Sequence, residues 1–295
     1  MLMTFKLPIN PEAHIPAISI GLPVFNGGAK LRLVLESLVQ QTFTDFELII
    51  SDNCSTDQTE QICRSFAQQD SRLRYLRQNA NQGADSNFRV VLAEARAPFF
   101  VWAAADDLRS LDFVSVNLNF LLAHPDYVAS VSPVRFVAGD FNAVTMGDAA
   151  LDHELPEDRI LAFLQRRHAN GRFYAIYRTE IVRSWRHLAD CHFLGADWTF
   201  VAHAAARGKI NRAADGWLEL GREGMSHTVD IFTLLRGQAL DWMAPLRRTS
   251  VEIYRLIAHA SWRHRLALIR RLVGVNIWAF LAQFKVLYLR RKRAS

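Results

Sequence analysis

Cysteine is scarce in this chain: Cys54, Cys63 and Cys191 are the three among 295 residues, an odd number without a CxxC pair. That argues against a zinc ribbon or a disulfide framework and fits a reducing cytoplasm. Neither glycine-rich nucleotide loop is present. Gly27-Gly28 lacks the GxGxxG spacing and no GxxxxGK(S/T) occurs, so a dinucleotide oxidoreductase and a P-loop NTPase are both disfavoured. The opening MLMTFKLPINPEAHIPA holds three prolines, one lysine and no sustained apolar core, so no signal peptide is expected and the cytoplasm is the expected location.

Acid is almost missing from one end. From Arg247 to Ser295 there are twelve Lys/Arg and one acid, Glu252, which makes that tail +11; taken from +6 for the whole chain, this leaves residues 1–246 at −5. A nucleic-acid binder would spread basic faces over a folded module, whereas this body is acidic, so no nucleic-acid partner is expected. Half of the residues are apolar, enough to bury a sizeable core in one large or two modest domains.

What the chain does have is apolar runs that end in acid. Phe99 to Asp107 begins as Phe-Phe-Val-Trp and closes on Asp106-Asp107, the pattern of a strand buried on both faces of a parallel sheet. Ligands bind beyond the carboxyl ends of such strands, where two acids can hold a divalent cation against a phosphate. The other reading is a helix N-cap followed by a first-turn acid. Upstream, the spacing predicts strands at Ile18–Asn26, Phe46–Asn53 and Leu73–Leu76, with helices at Leu31–Gln41, from Ser55-Thr56-Asp57 to Gln69, and at Asp85–Ala95. Strands alternating with helices of this length predict an α/β fold with a mostly parallel, Rossmann-like sheet flanked by helices. Further on, Val128–Val137 and Gly171–Arg178 read as strands, Asp140–Asp158 as a loop, and Trp198–Arg207 as a helix.

Pro23-Val24-Phe25-Asn26, Asp52-Asn53-Cys54-Ser55-Thr56-Asp57, Asn81-Gln82-Gly83 with Asn87, and Trp102-Ala103-Ala104-Ala105-Asp106-Asp107 follow one another in the order and spacing of family 2 glycosyltransferases. The resemblance runs from Ile18 to Pro125 and resumes at Gly195-Ala196-Asp197-Trp198. It implies an inverting, metal-dependent enzyme of glycosyltransferase A-type fold that moves a sugar from a nucleotide-diphosphate-sugar donor to a hydroxyl acceptor, a saccharide or a lipid-linked one, in building a surface polysaccharide or glycolipid. Under it, residues 1–225 form the catalytic domain, with a nucleotide-sugar half at about 18–110 and an acceptor half at 111–225, and residues 226–295 form a basic helical extension.

By the same resemblance, Pro23, Phe25, Asn26, Asp52, Asn53, Asn87 and Asp106 would line the nucleotide-sugar pocket, with Asp52 accepting from the donor's base. Asp107 would hold Mg²⁺ or Mn²⁺, His227 would be a second metal ligand, and Asp197 would be the general base. The family's acid–any–acid motif reads Ala105-Asp106-Asp107 here, so its first acid is missing, and its Glu-Asp reads Ala196-Asp197. Plainer readings stand beside these: Asn26-Gly27-Gly28 as a turn, Asp52 and Asp57 as capping residues, Asn87 and Asp197 as helix caps, Arg89 as a surface charge and His227 as a solvated loop residue. Two other function classes remain, a sugar nucleotidyltransferase and a catalytically inactive nucleotide-sugar binder. The first would want a basic, glycine-rich loop after the first strand, where only Lys30 is basic.

In the tail, Ile253, Leu256, Ile257, Ala260, Leu266, Ile269 and Leu272 recur at helical spacing with Arg248, Arg255, Arg263 and Arg270 between them, predicting an amphipathic helix over Leu246–Val273. The more apolar Val273–Leu289 is short and interrupted for a membrane span. Either these helices dock on the body, or they lie on an anionic membrane surface at the inner face of the cell membrane.

Overall fold

A computed structural model of the chain describes residues 14–137, 149–165, 170–221 and 230–294. Parallel strands β1 (Ile18–Val24), β2 (Phe46–Asp52), β3 (Leu73–Arg77) and β4 (Phe99–Trp102) are joined by helices α1 (Lys30–Val39), α2 (Thr59–Gln69) and α3 (Ala84–Ala93). All residues of β1, β2 and β4 are buried, which is why these segments are near-continuous apolar runs rather than alternating ones. Two of the polar residues inside them are spent on each other: the Ser19 hydroxyl donates to Glu47 at 2.6 Å, and Glu47 also receives the Arg96 amide at 2.9 Å.

Helix α4 (Phe113–Ala123) leads to β6 (Tyr127–Val131), and the sheet is completed by β8 (Ile176–Arg178) and β9 (Lys209–Arg212) in the order β3-β2-β1-β4-β8-β6-β9, with β8 antiparallel to both neighbours. A second sheet of three short strands, β5 (Leu108–Arg109), β10 (Leu218–Leu220) and β7 (Val134–Phe136), crosses the carboxyl edge. The mostly parallel sheet flanked by helices agrees with the expected fold class.

Several boundaries differ from the expectation. The central strand stops at Trp102, and Ala103–Asp107 forms a turn feeding β5. Val128–Val137 is two strands in two sheets, divided at Ser132-Pro133, because proline cannot donate to a ladder. Gly171–Arg178 is not one strand either: Gly171–Tyr174 is a 3-10 turn before β8. That turn lets Phe173 and Tyr174 reach the same cavity, which neighbours on a pleated strand cannot do. Residues 140–148 of the expected loop lie outside the described residues, and the rest of it holds Leu151, paired with Ile210, and the start of α5 (Pro156–Phe163).

Helices α6 (Thr179–Arg183), α7 (Ala196–Arg207) and the single turn α8 (Ile231–Leu234) precede the tail. The tail is two helices, α9 (Arg247–Leu256) and α10 (Trp262–Ala294), where one over Leu246–Val273 was expected. The break falls where the Ser261 hydroxyl accepts the His264 amide, a capping interaction that starts a new helix. Past it, the expected separate segment after Val273 is continuous with α10. Helix α9 packs on α7, and α10 packs on α5 and α9.

Candidate active site

The crossing of the two sheets sets the acid pair. After β4, the turn Ala103–Asp107 runs into β5, which pairs antiparallel with β10. Gly221 follows β10 directly and donates its amide to Asp107 Oδ1 at 2.8 Å. A side chain at Gly221 would put its Cβ 2.2 Å from Asp106 Oδ2 and 2.5 Å from the Asp106 carbonyl oxygen, so this close approach requires glycine. Asp107 Oδ2 is buried, with no hydrogen-bond partner among the described residues. Burial pushes the Asp107 carboxyl up to about 6, with Asp106 adding to it and Arg109 and the Gly221 amide opposing. Arg109, itself buried, donates to the Trp102 carbonyl at 2.8 Å.

Asp197 enters from the other side, in the first turn of α7. Gly195 precedes that helix with φ +78°, and a Cβ there would lie 2.8 Å from Thr249 Oγ1 of α9; glycine allows both the left-handed turn and the contact. Asn170, at φ +49°, donates its Nδ2 to Asp197 Oδ2 at 2.8 Å. Burial raises the Asp197 carboxyl above the ordinary range, against the hydrogen bonds from Asn170 and the Trp198 amide.

Asp106, Asp107 and Asp197 all line one cavity of about 550 Å³, a volume typical of small-molecule sites. The Tyr174 hydroxyl is held far above its usual range first by burial and then by the charges of Asp107, Asp106 and Asp197, so it stays a neutral donor among three acids. Arg89 and Asp85 of α3 form one wall, and Leu246, Trp278 and Ala279 of the tail form another. Arg89 is therefore a cavity residue rather than only a surface charge.

The other expected donor residues are not in that lining. They gather at the carboxyl ends of β1 and β2. Pro23 is buried in β1; Phe25 is 47% exposed; Asn26, at φ +51°, receives the Thr56 amide on its side-chain oxygen at 2.9 Å. Asp52 is 0% exposed and accepts from the Ser55 amide at 2.8 Å, the Tyr75 hydroxyl at 2.7 Å and Arg77 at 2.8 Å. Asp57 receives the Gly28 and Thr59 amides, as a capping residue does. Asn87 is buried, donating to the Val24 and Ser51 carbonyls and accepting from the Ser51 hydroxyl. Asn53 donates to Asn81 and to the Gly83 carbonyl, which fixes the turn that starts α3 and so the helix that carries Asp85 and Arg89 into the cavity.

His227 lies outside the described residues. Among the described residues no three His, Cys, Asp or Glu side chains form a metal cage. A hard cation does not need one, since Mg²⁺ is commonly held by one or two carboxylates plus substrate phosphates. Asp107 Oδ2, buried and without a hydrogen bond among the described residues, is with Asp106 beside it in the cavity a donor set that fits.

Sequence reasoning missed Asn170, Tyr174, Arg109 and Gly221. The Asn170-Gly171 pair was a legible turn signal; its reach to Asp197 was not.

A family model described as glycosyl transferase family 2 matches residues 19–186. The structure of S. aureus TarS 1–349 in complex with UDP-GlcNAc superposes with a TM-score of 0.58 at 18% identity, covering 86% of this chain and 79% of that one. A mannosyltransferase from Pyrobaculum calidifontis, in complex with GDP-Man and Mn²⁺, gives 0.50 at 17% identity, covering 98% and 84%. At these identities both likenesses speak for the fold alone. In sequence, the GalNAc(5)-diNAcBac-PP-undecaprenol beta-1,3-glucosyltransferase of Campylobacter jejuni is 33% identical over 94 residues, 32% of this chain and 30% of that protein. The matches span less than half the length of these curated relatives. The family match takes in β1 to β8 with the Asp106-Asp107 turn, ends short of Asp197, and covers more than half of the sequence: the chain belongs to glycosyl transferase family 2.

Proposed function

We propose that the protein is an inverting, metal-dependent glycosyltransferase that moves a sugar from a nucleotide-diphosphate donor to a hydroxyl on a saccharide or lipid-linked acceptor, in the cytoplasm, for a surface polysaccharide or glycolipid. The observation that carries this reading is that Asp106, Asp107 and Asp197, brought from the sheet crossing and from α7, line one cavity. The ligands bound in the similar structures, UDP-GlcNAc and GDP-Man, and the undecaprenol-linked saccharide in the name of the Campylobacter relative belong to the same classes. The catalytic unit would be residues 1–225, with residues 226–295 as an extension that supplies Trp278 to the cavity.

In this reading Asp197 takes the proton of the acceptor hydroxyl as its oxygen attacks the anomeric carbon. The bond from that carbon to the diphosphate oxygen breaks on the opposite face, and the diphosphate leaves with the electron pair. Asn170 holds the Asp197 carboxylate in place, and burial raises its proton affinity toward that of a useful base. Asp107 and Asp106 would hold Mg²⁺ or Mn²⁺ together with the donor's phosphates, His227 adding a ligand from the segment after β10. When bound, the cation would neutralise charge on the departing diphosphate. Pro23, Phe25 and Asn26 would border the donor nucleotide, with Asp52, Asn53 and Asn87 behind them shaping that edge.

The test is Asp197→Asn, which keeps the shape and removes the base. Transfer or donor hydrolysis should fall by about 10²–10⁴ while donor binding with Mn²⁺ stays as in the wild type. Equal turnover in the two proteins refutes the assignment of the base, and a donor that binds without any turnover favours the inactive binder.

A further inference from the structure

Helix α10 has two apolar faces and only one is used. Its inner face is bound to the body: Leu268, Leu272 and Ala279 are buried, Asn276 donates to Ser250 Oγ at 2.7 Å and accepts the Leu246 amide at 3.0 Å, and Gln283 donates to the Trp242 carbonyl at 2.7 Å. About a third of a turn round the helix from that face, Trp262, Leu266, Ile269, Val273, Ile277, Leu281 and Phe284 are each 39–65% exposed. Their steps of three and four residues keep them on one stripe, about 33 Å long at the helical rise. The stripe continues into a groove of about 750 Å³ between α9 and α10, where Ile269, Val273 and Ile277 face Met243, Val251 and Tyr254. Contiguous exposed apolar surface on this scale marks an interaction site.

We propose that this face docks on an anionic lipid bilayer, with α10 lying in the plane of the membrane surface. The charge pattern selects that occupant. From Trp262 to Ala294 there are nine Lys/Arg and no acid, and Arg263, Arg270 and Lys285 are exposed along the flank of the stripe. An apolar stripe flanked by basic side chains is the arrangement of an interfacial helix, each basic group adding attraction to anionic headgroups. A second copy would instead bring like charges together. Trp262–Val286 is long and apolar enough to cross a membrane by length and composition alone. Crossing would strip Asn276 and Gln283 of their partners in the body, whereas lying flat keeps them. Because Trp278 and Ala279 of the same helix wall the cavity, docking brings that cavity to the membrane surface. The surface stands independently of the chemistry proposed for the cavity.

The experiment is flotation of the full chain with vesicles of phosphatidylcholine alone or mixed with phosphatidylglycerol. Wild type should bind the mixed vesicles, and should bind phosphatidylcholine at least about tenfold more weakly. The double variant Ile269→Glu/Val273→Glu, at exposed positions outside the cavity, should lose binding while keeping its circular dichroism and donor hydrolysis. Arg263→Gln/Arg270→Gln should weaken binding by roughly tenfold or more. No flotation of the wild type overturns the proposal, as does unchanged flotation of the glutamate variant. So does a dimeric wild type that the glutamate variant turns monomeric, which would make the face an interface between copies.

Discussion

Removing the Asn170 side chain should move the pH dependence of turnover without abolishing it. The Asn170 amide donates to Asp197 Oδ2 at 2.8 Å, and burial works against it by raising the Asp197 carboxyl. A hydrogen bond to a charged group contributes about 1.5–3 kcal/mol, and about 1.4 kcal/mol corresponds to one pH unit in a protonation equilibrium. The donor favours the ionised carboxylate, so its loss raises the proton affinity of Asp197 further. A base works deprotonated, and its activity disappears as pH falls through its pKa; the acid limb of the rate profile should therefore move up by about one to two pH units. The best variant is Asn170→Gly. Asn170 sits at φ +49°, where alanine would add about 1–2 kcal/mol of backbone strain and glycine adds none. Asn170→Asp, which replaces the donor with a second carboxylate, should move the limb further. The assay is nucleoside-diphosphate release from donor over a pH series, with thermal melts run alongside. An acid limb that stays in place in Asn170→Gly, with turnover changed equally at every pH, would refute the role given to this hydrogen bond.

Gly221→Ala should lower turnover and weaken metal-dependent donor binding, because its Cβ would meet the Asp106 carboxylate and carbonyl at 2.2 and 2.5 Å and force β10 away from Asp107; calorimetry of donor with Mn²⁺ against wild type checks it. Asp52→Asn should cost about 1–3 kcal/mol in a denaturant melt, since it removes the charged acceptor shared by the Ser55 amide, the Tyr75 hydroxyl and Arg77 and leaves Arg77 the longer pair with Glu60 at 3.4 Å. A rise in donor KM without loss of stability would instead give Asp52 a direct role at the donor's base. Glu47 feels burial pushing its carboxyl up, but hydrogen bonds from Ser19 and Arg96 outweigh this and hold it below its ordinary value of 4.5. The stability it supplies is present above that value and is lost as pH falls through the lowered one. Below pH 4.5 the wild type should lose melting temperature faster than Glu47→Gln.

The sheet was legible because β1, β2 and β4 are buried on both faces, and burial of that kind leaves an unbroken apolar run in the sequence. The acids were legible too, since an apolar run ending in Asp106-Asp107 and a small-residue step into Asp197 are local signals. What escaped was whatever depends on contacts across many residues. Gly221 meets Asp106 only because β5 pairs with β10, 110 residues further along the chain. Asn170 reaches Asp197 through a left-handed turn that no periodicity announces. The tail's amphipathic spacing was plain, but the division of α10 into a docked face and a bare one depends on what α9 and Gln283 touch. At the ends of β1 and β2 the short motifs were visible, and the hydrogen bonds that occupy Asp52, Asn53 and Asn87 within the fold were not.

The most direct test of the central claim is nucleoside-diphosphate release from a panel of nucleotide sugars, with Mn²⁺ and with chelator, by the wild type and by Asp107→Asn. Slow release from at least one donor is expected, requiring the cation and disappearing in the variant. Release that is undiminished by chelator or by Asp107→Asn would contradict it.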